Sequence, residues 1–200
     1  FSVNPDASEL FVRKGLGYLI PSATRLGRAV HRLRQVTGRK PSGARADLAP
    51  EELTERLRER AREIGLSRIG ITANDPKYTF GESDAEQFPN VIVCLMEQDW
   101  ELTQTIPSDE AEKSAMLGYA EGMTRTASLA GFLKDLGYEA APQGFPGDGI
   151  TIHYGVEAGL GQLGLNGQLL TPEAGSRCRI LLITTDAPLV FDEPVDYGLH

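Results

Sequence analysis

The densest run of chemically suggestive residues is Gly155–Gly167, GVEAGLGQLGLNG, which holds a G-x-G-x-x-G at Gly159, Gly161 and Gly164. Asp186 follows Gly164 by 22 residues, at the end of an apolar run. That is the spacing at which a dinucleotide site places the acid that binds its ribose. The continuation argues against that chemistry. LNGQLLTPEAGSR puts Asn-Gly, Pro172 and Gly175 where a helix should run, and without a helix N-terminus a pyrophosphate has no dipole to sit on. The glycines still imply a backbone that turns sharply, or one that approaches a flat ligand with no side chain in the way. Arg177 and Arg179 flank Cys178 just before Ile180–Ile183. Strand alternation puts both guanidiniums on one face and the thiol on the other; alone, such a pair reads equally as a surface bridge to acids. His153 stands by itself and reads as a half-buried residue rather than a ligand. Cys94, within VIVCLM, reads as a core thiol, and Trp100 as either the cover of a ligand face or a domain cap. Two cysteines supply no disulfide framework.

The elements that must position these residues follow from periodicity. Ser8–Leu19 and Ser22–Val36 read as helices broken at Pro21, the second with Leu26, Ala29, Val30 and Leu33 in one stripe among arginines. Thr37–Ala49 is a linker by composition. Pro50 opens a helix with Leu53, Leu57, Ala61 and Ile64 on its buried face, stopped at Gly65. Ser67–Thr72 and Asn90–Met96 read as strands, the second apolar on both faces and therefore central. Ser108 caps a long helix that runs to Leu136 and ends at Gly137; Gly118 and Gly122 inside it imply close packing or a ligand nearby. Tyr138–Ala141, Ile150–Val156 and Arg179–Thr185 read as extended pieces. Ala73–Pro89 and Gln143–Gly149 are loops able to shape a pocket, with Phe145 in the second. The alternation of strands and helices implies an α/β or α+β class.

The 200 residues carry a net charge of −8 that is unevenly spread. Residues 1–45 hold nine Lys/Arg against two acids, so the remainder is strongly acidic. An acidic body argues against nucleic acid as a partner. The basic arm reads as a solvated helical appendage that could touch an anionic surface. No apolar stretch approaches the roughly 18 residues of a membrane span. The cysteine usage makes the cytoplasm the default address, with export or membrane association the alternative if a leader preceded Phe1, which itself reads as a processed or partial start.

The stretch HYGVEAGLGQLGLNGQLLTPEAGSRCRILLITTDAPL resembles the corrinoid-binding core of the reductive dehalogenases and, more distantly, of the epoxyqueuosine reductases. The shared pattern is A-G-L-G-x-x-G-x-N-G, then T-P-E-x-G-x-R-x-R, then a strand ending T-D-x-P-L. RAREIGLSRIGIT, FPNVIVCLMEQD, PSDEAEKSAMLGYAEG and FLKDLGYEAAP agree with further parts of the family in the same order, so the resemblance covers about residues 50–199. The tyrosine in the central helix favours the dehalogenase side, because the queuosine enzymes are expected to carry an aspartate there.

The resemblance implies a nitroreductase-like mixed sheet flanked by helices over residues 46–200, preceded by the basic helical arm and linker of residues 1–45. It implies cobalamin as cofactor, an organohalide as substrate, and an electron donor such as ferredoxin or a reductase. Two 4Fe-4S clusters are expected in a segment after Asp196–His200 that this sequence does not contain. Tyr119 is the implied proton donor, which a phenol can be if a nearby cation stabilises the phenolate left behind. Arg177 is expected to polarise Tyr119 or hold the leaving halide, with Arg179 left open as the arginine that does so instead, and Glu121 as the back-up acid. Gly159, Leu160, Gly161, Gly164, Asn166, Gly167 and Arg179 are expected to cradle the corrinoid, with no metal ligand supplied by a side chain. Three other readings remain open: a corrinoid carrier without catalysis, an epoxyqueuosine-type reductase, and a flavin-binding nitroreductase-like domain.

Overall fold

The computed structural model describes residues 24–79, 88–144 and 149–198. The expected helix Ser8–Leu19 and Phe145 lie outside them, as does most of the loop after Thr79. Helix α1 covers 24–38, and α2 spans Pro50–Glu63. Strand β1 is Arg68–Ala73, β2 Asn90–Glu97, and the short α3 Trp100–Gln104. The long α4 is Asp109–Asp135, followed by β3, Ala140–Pro142, and α5, Thr151–Glu157. A small hairpin pairs β4, Gln162–Leu163, with β5, Leu169–Leu170, before β6, Cys178–Thr185.

The main sheet has the order β1-β2-β6-β3. A sheet flanked by helices is as expected, but its pairings are all antiparallel rather than mixed. Alternation in β2 explains its continuous apolar run. Ile92 and Cys94 join the core beneath α1, α2 and α4, with Leu53, Leu57, Met123 and Leu133. Val91, Val93 and Leu95 face the opposite layer, with Tyr154, Leu160 and Leu169. Each face of β2 is thus covered, as a central strand requires.

Ile150–Val156, read as extended, is instead helix α5, so His153 stands on a helix. The alternating apolar pattern there is overridden by packing. Tyr154 is buried and its hydroxyl donates to Asn74 Oδ1 at 2.7 Å. Gly155 lies so close to Leu169 that an added Cβ would sit 2.7 Å from Leu169 Cδ2. The helical turn puts Tyr154 and Ala158, four residues apart, on the same buried face.

Helix α4 begins and ends as its sequence predicts. Ser108 Oγ accepts from Ala111 N–H at 3.1 Å, and Gly137 takes φ +87° after its last turn. The basic helix α1 packs on the main core through Ala29, with Leu26, Val30 and Leu33 beside it. The segment after it is tied down as well, since Lys134 Nζ donates to the carbonyls of Thr37 and Arg39, and Ser42 N–H donates to the Lys134 carbonyl. Asp186, the candidate ribose acid, accepts from Glu139 N–H and pairs with Arg45. Among the described residues, no helix is long and apolar enough to cross a membrane.

Candidate active site

Helix α4 lies across β6 at a glycine. A Cβ on Gly122 would come 2.7 Å from Leu181 Cδ1, so the bare backbone lets the helix approach the strand closely. One turn earlier, Tyr119 then meets Arg179, two residues before Leu181 on the same strand face. Arg179 Nη1 donates to the Tyr119 hydroxyl oxygen at 3.1 Å, and its Cζ lies 4.0 Å from the ring centroid. Both residues line a cleft of about 430 Å³. Gln98, Thr151, Gln168 and Ser176 supply neutral hydrogen-bonding groups around it, and Leu169, Ile180 and Leu181 an apolar wall. Among the described residues, Arg179 Nε is buried without a partner, so this cation keeps a donor in reserve beside the cleft. Cys178 also lines the cleft; burial pushes its thiol up against the opposing pull of Arg179 and Arg177.

Arg177 does a different job from the one expected. Its guanidinium donates to Glu97 Oε1 and the Gln98 carbonyl, and its Cζ lies 5.1 Å from the Trp100 ring centroid. Gln98 N–H donates back to the Arg177 carbonyl at 3.0 Å. Arg177 therefore latches the ends of β2 and β6 together, and the guanidinium that reaches Tyr119 belongs to Arg179. Both arginines leave the same face of the chain, as alternation predicts, and residue type alone could not say which would meet the helix. Glu121 points to a neighbouring cavity and pairs with Arg125 at 3.3 Å, so it is no back-up acid for this cleft. His153 stacks on Tyr78, with centroids 5.1 Å apart, and is not among the cleft residues.

The glycine block forms the turn into the β4–β5 hairpin and the hairpin itself. A Cβ on Gly159 would meet the Glu193 carbonyl at 2.3 Å, and one on Gly161 the Leu170 carbonyl at 2.3 Å. Gly164 is hemmed in by Asn166 Oδ1 and the Leu170 side chain. Asn166 Oδ1 accepts from Gln168 N–H at 3.1 Å, and Gly167 takes φ +74° in open space. Leu160 is buried in the core. Of the seven residues expected to hold a cofactor, Arg179 lines the cleft, while the other six build the hairpin that presents Gln168 and Leu169 to it. Gln98, Thr151, Gln168 and Ser176 were not anticipated, since single neutral polar residues carry no spacing signal.

Comparison with known proteins shows what the chain resembles. No family model matches the chain. The chain is 38% identical over 111 residues to a tetrachloroethene reductive dehalogenase of Desulfitobacterium hafniense, 56% of this chain and 20% of the relative. It is 36% identical over 110 residues to that of Sulfurospirillum multivorans, 55% and 22% of the two chains. The chain is related to the reductive dehalogenases. The matched part spans about a fifth of the length of these dehalogenases. The fold agrees: the catabolic reductive dehalogenase NpRdhA, solved with 3-bromo-4-hydroxybenzoic acid, superposes with a TM-score of 0.75 at 22% identity, covering 87% of this chain and 27% of that one. A reductive dehalogenase structure described as B12-dependent gives a TM-score of 0.74 over 85% of this chain and 26% of that one, at 22% identity. An epoxyqueuosine reductase bound to a tRNA stem loop is more distant, with a TM-score of 0.52 at 19% identity over 72% of this chain and 48% of that one.

The Tyr119–Arg179 cleft suits part of a corrinoid. A corrin ring is flat, apolar on its faces and fringed with amides. The cleft offers an apolar wall, four neutral hydrogen-bonding side chains and an unpartnered buried guanidinium N–H. Among the described residues, no cluster of His, Cys, Asp or Glu could hold a metal ion.

Proposed function

We propose that this chain forms the corrinoid-binding catalytic part of a reductive dehalogenase, with Tyr119 as proton donor and Arg179 as the cation that holds the resulting phenolate. The stacked, hydrogen-bonded Arg179–Tyr119 pair on the cleft wall carries the reading. The net reaction takes an organohalide, two electrons and one proton to the reduced carbon compound and free halide. When bound, the corrinoid supplies the cobalt through which the electrons reach the carbon–halogen bond.

The residues of the chain do the rest. Tyr119 Oη gives its proton to the carbon that loses halide. Arg179 Nη1, already donating to that oxygen, stabilises the phenolate; a guanidinium keeps its charge even when buried. Arg179 Nε remains for the departing halide. Leu169, Ile180 and Leu181 exclude water from one side, which strengthens the Arg179–Tyr119 interaction. Gln98, Thr151, Gln168 and Ser176 are placed to hold the amide fringe of the cofactor. The two cysteines are too few for one four-thiolate cluster, so electrons from a ferredoxin or reductase would arrive through clusters held by other residues.

The test is a hydroxocobalamin titration followed by visible spectroscopy, then halide release from tetrachloroethene and 3-bromo-4-hydroxybenzoic acid with reduced methyl viologen as electron source. Tyr119→Phe should bind corrinoid as the parent does and lose at least about 100-fold in halide release, the usual contribution of a positioned general acid. Unchanged release in that variant removes Tyr119 from the chemistry. A parent protein that fails to bind hydroxocobalamin overturns the corrinoid-binding reading.

A further inference from the structure

Another concave site lies between α1 and α4, with a lining distinct from that of the Tyr119 cleft. Helix α1 carries Arg25, Arg28, Arg32 and Arg34 and no carboxylate. The neighbouring α2 is built differently, with Arg56, Arg60 and Arg62 each paired to a glutamate of the same helix. Arg25, Arg28 and Arg32 recur at helical spacing on one face, and that face looks across at Arg125 of α4 around a cavity of about 300 Å³. Among the described residues, none of the three forms an ion pair. Among the described lining residues the one carboxylate, Glu121, is already engaged by Arg125. The floor is apolar, made by Ala29, Leu117 and Ala120.

Like charges three and four residues apart repel one another on a helix. Here the repulsion is directed into a concavity of a protein whose net charge is −8. Guanidinium forks match the oxygens of phosphate in paired, charge-assisted hydrogen bonds. An apolar floor adds nothing to the binding of a bare ion, but it fits an organic body. We propose that the α1–α4 groove binds a small organic phosphate, its phosphate held by Arg25, Arg28 and Arg32 and its carbon skeleton on the Ala29–Leu117–Ala120 floor. The concavity favours a small ligand over a duplex or a membrane, which would meet a convex helix. The site shares no lining residue with the Tyr119 cleft, and its occupancy is measurable with no corrinoid present.

The probe is phenyl phosphate, titrated into the protein by calorimetry at low ionic strength, with phenol and inorganic pyrophosphate for comparison. Phenyl phosphate should bind one-to-one and be displaced by pyrophosphate, while phenol should not bind. Arg28→Gln and Arg32→Gln should each weaken binding about tenfold. Arg34→Gln, outside the cavity, should stay within about twofold of the parent. Far-UV circular dichroism and thermal melting of each variant establish that the helix is intact. Binding that survives the double variant, or that Arg34→Gln weakens as much, overturns the site in favour of diffuse charge attraction. If phenyl phosphate fails to bind while a short DNA duplex or a phosphatidylserine vesicle binds and the double variant abolishes it, α1 faces a polyanion and the small-ligand assignment falls.

Discussion

Arg179 lies over Tyr119 with its Cζ 4.0 Å from the ring centroid and its Nη1 3.1 Å from the hydroxyl oxygen, although the two residues are 60 apart in sequence. A cation over an aromatic face contributes about 0.5–2 kcal/mol, depending on how far it is desolvated. The pair is set by its neighbours: Gly122 brings α4 down onto Leu181, and the Arg177 latch fixes where β6 begins.

The two arginines therefore separate by experiment. Arg179→Lys keeps a positive charge but loses the planar stack and the donor fork. It should lower halide release by about 10- to 100-fold, with corrinoid affinity little changed. Arg177→Gln removes charge-assisted bonds to Glu97 and the Gln98 carbonyl, a loss of about 2 kcal/mol. For a protein of this size it should lower Tm by about 4–8 °C while turnover of the folded fraction persists. Thermal melts and halide assays on both variants check this. An unchanged Tm with abolished turnover in Arg177→Gln would return the catalytic assignment to Arg177.

The glycines of the hairpin and of α4 predict three different outcomes. Gly161→Ala drives a Cβ into the Leu170 carbonyl, a backbone atom that cannot step aside. It should cost at least about 3 kcal/mol or prevent folding. Gly167→Ala meets no atom, but φ +74° is the left-handed region, so it should cost about 1–2 kcal/mol. Gly131→Ala, in the interior of α4 with open space beside it, should gain up to about 1 kcal/mol from helix propensity. Urea unfolding followed by circular dichroism ranks them. Equal effects at 161 and 167 would mean that close packing is not what selects glycine in this block.

Much of the scaffold was legible because its signals are local. The Ser108 cap, the Gly137 stop, the Pro50 start and the two-faced apolar run of β2 each follow from a few adjacent residues. Ile150–Val156 was not legible, because Tyr154 is fixed by Asn74 and Asp75, residues about 80 positions away, and that contact overrides the alternation. The site was legible to the level of Tyr119 facing an arginine from the Arg177–Arg179 pair. Which arginine it is depends on the register of β6 against α4, a tertiary quantity. The glycine block drew attention as a ligand cradle, whereas at Gly159 and Gly161 the atoms that demand glycine belong to the chain itself. Gln168, the polar hairpin residue that lines the cleft, bears no motif of its own.

The two thiols give a check on where the corrinoid sits. Cys94 is fully buried in β2, and burial pushes its thiol up to about 12. A thiol so buried and so rarely ionised at pH 8 should be spared by iodoacetamide until urea unfolds the protein. Cys178 is half-buried on the cleft wall, its thiol also raised by burial but drawn back by Arg179 and Arg177. It should alkylate slowly at pH 8 and faster as pH rises, because the reactive thiolate grows with deprotonation. Saturating hydroxocobalamin should slow alkylation of Cys178 at least about tenfold while leaving Cys94 as it was, measured by peptide mass spectrometry. Equal Cys178 rates with and without bound corrinoid would place the cofactor outside the Tyr119–Arg179 cleft. The proton-donor assignment would fall with it, since a phenol that does not face the cofactor cannot protonate carbon reduced there.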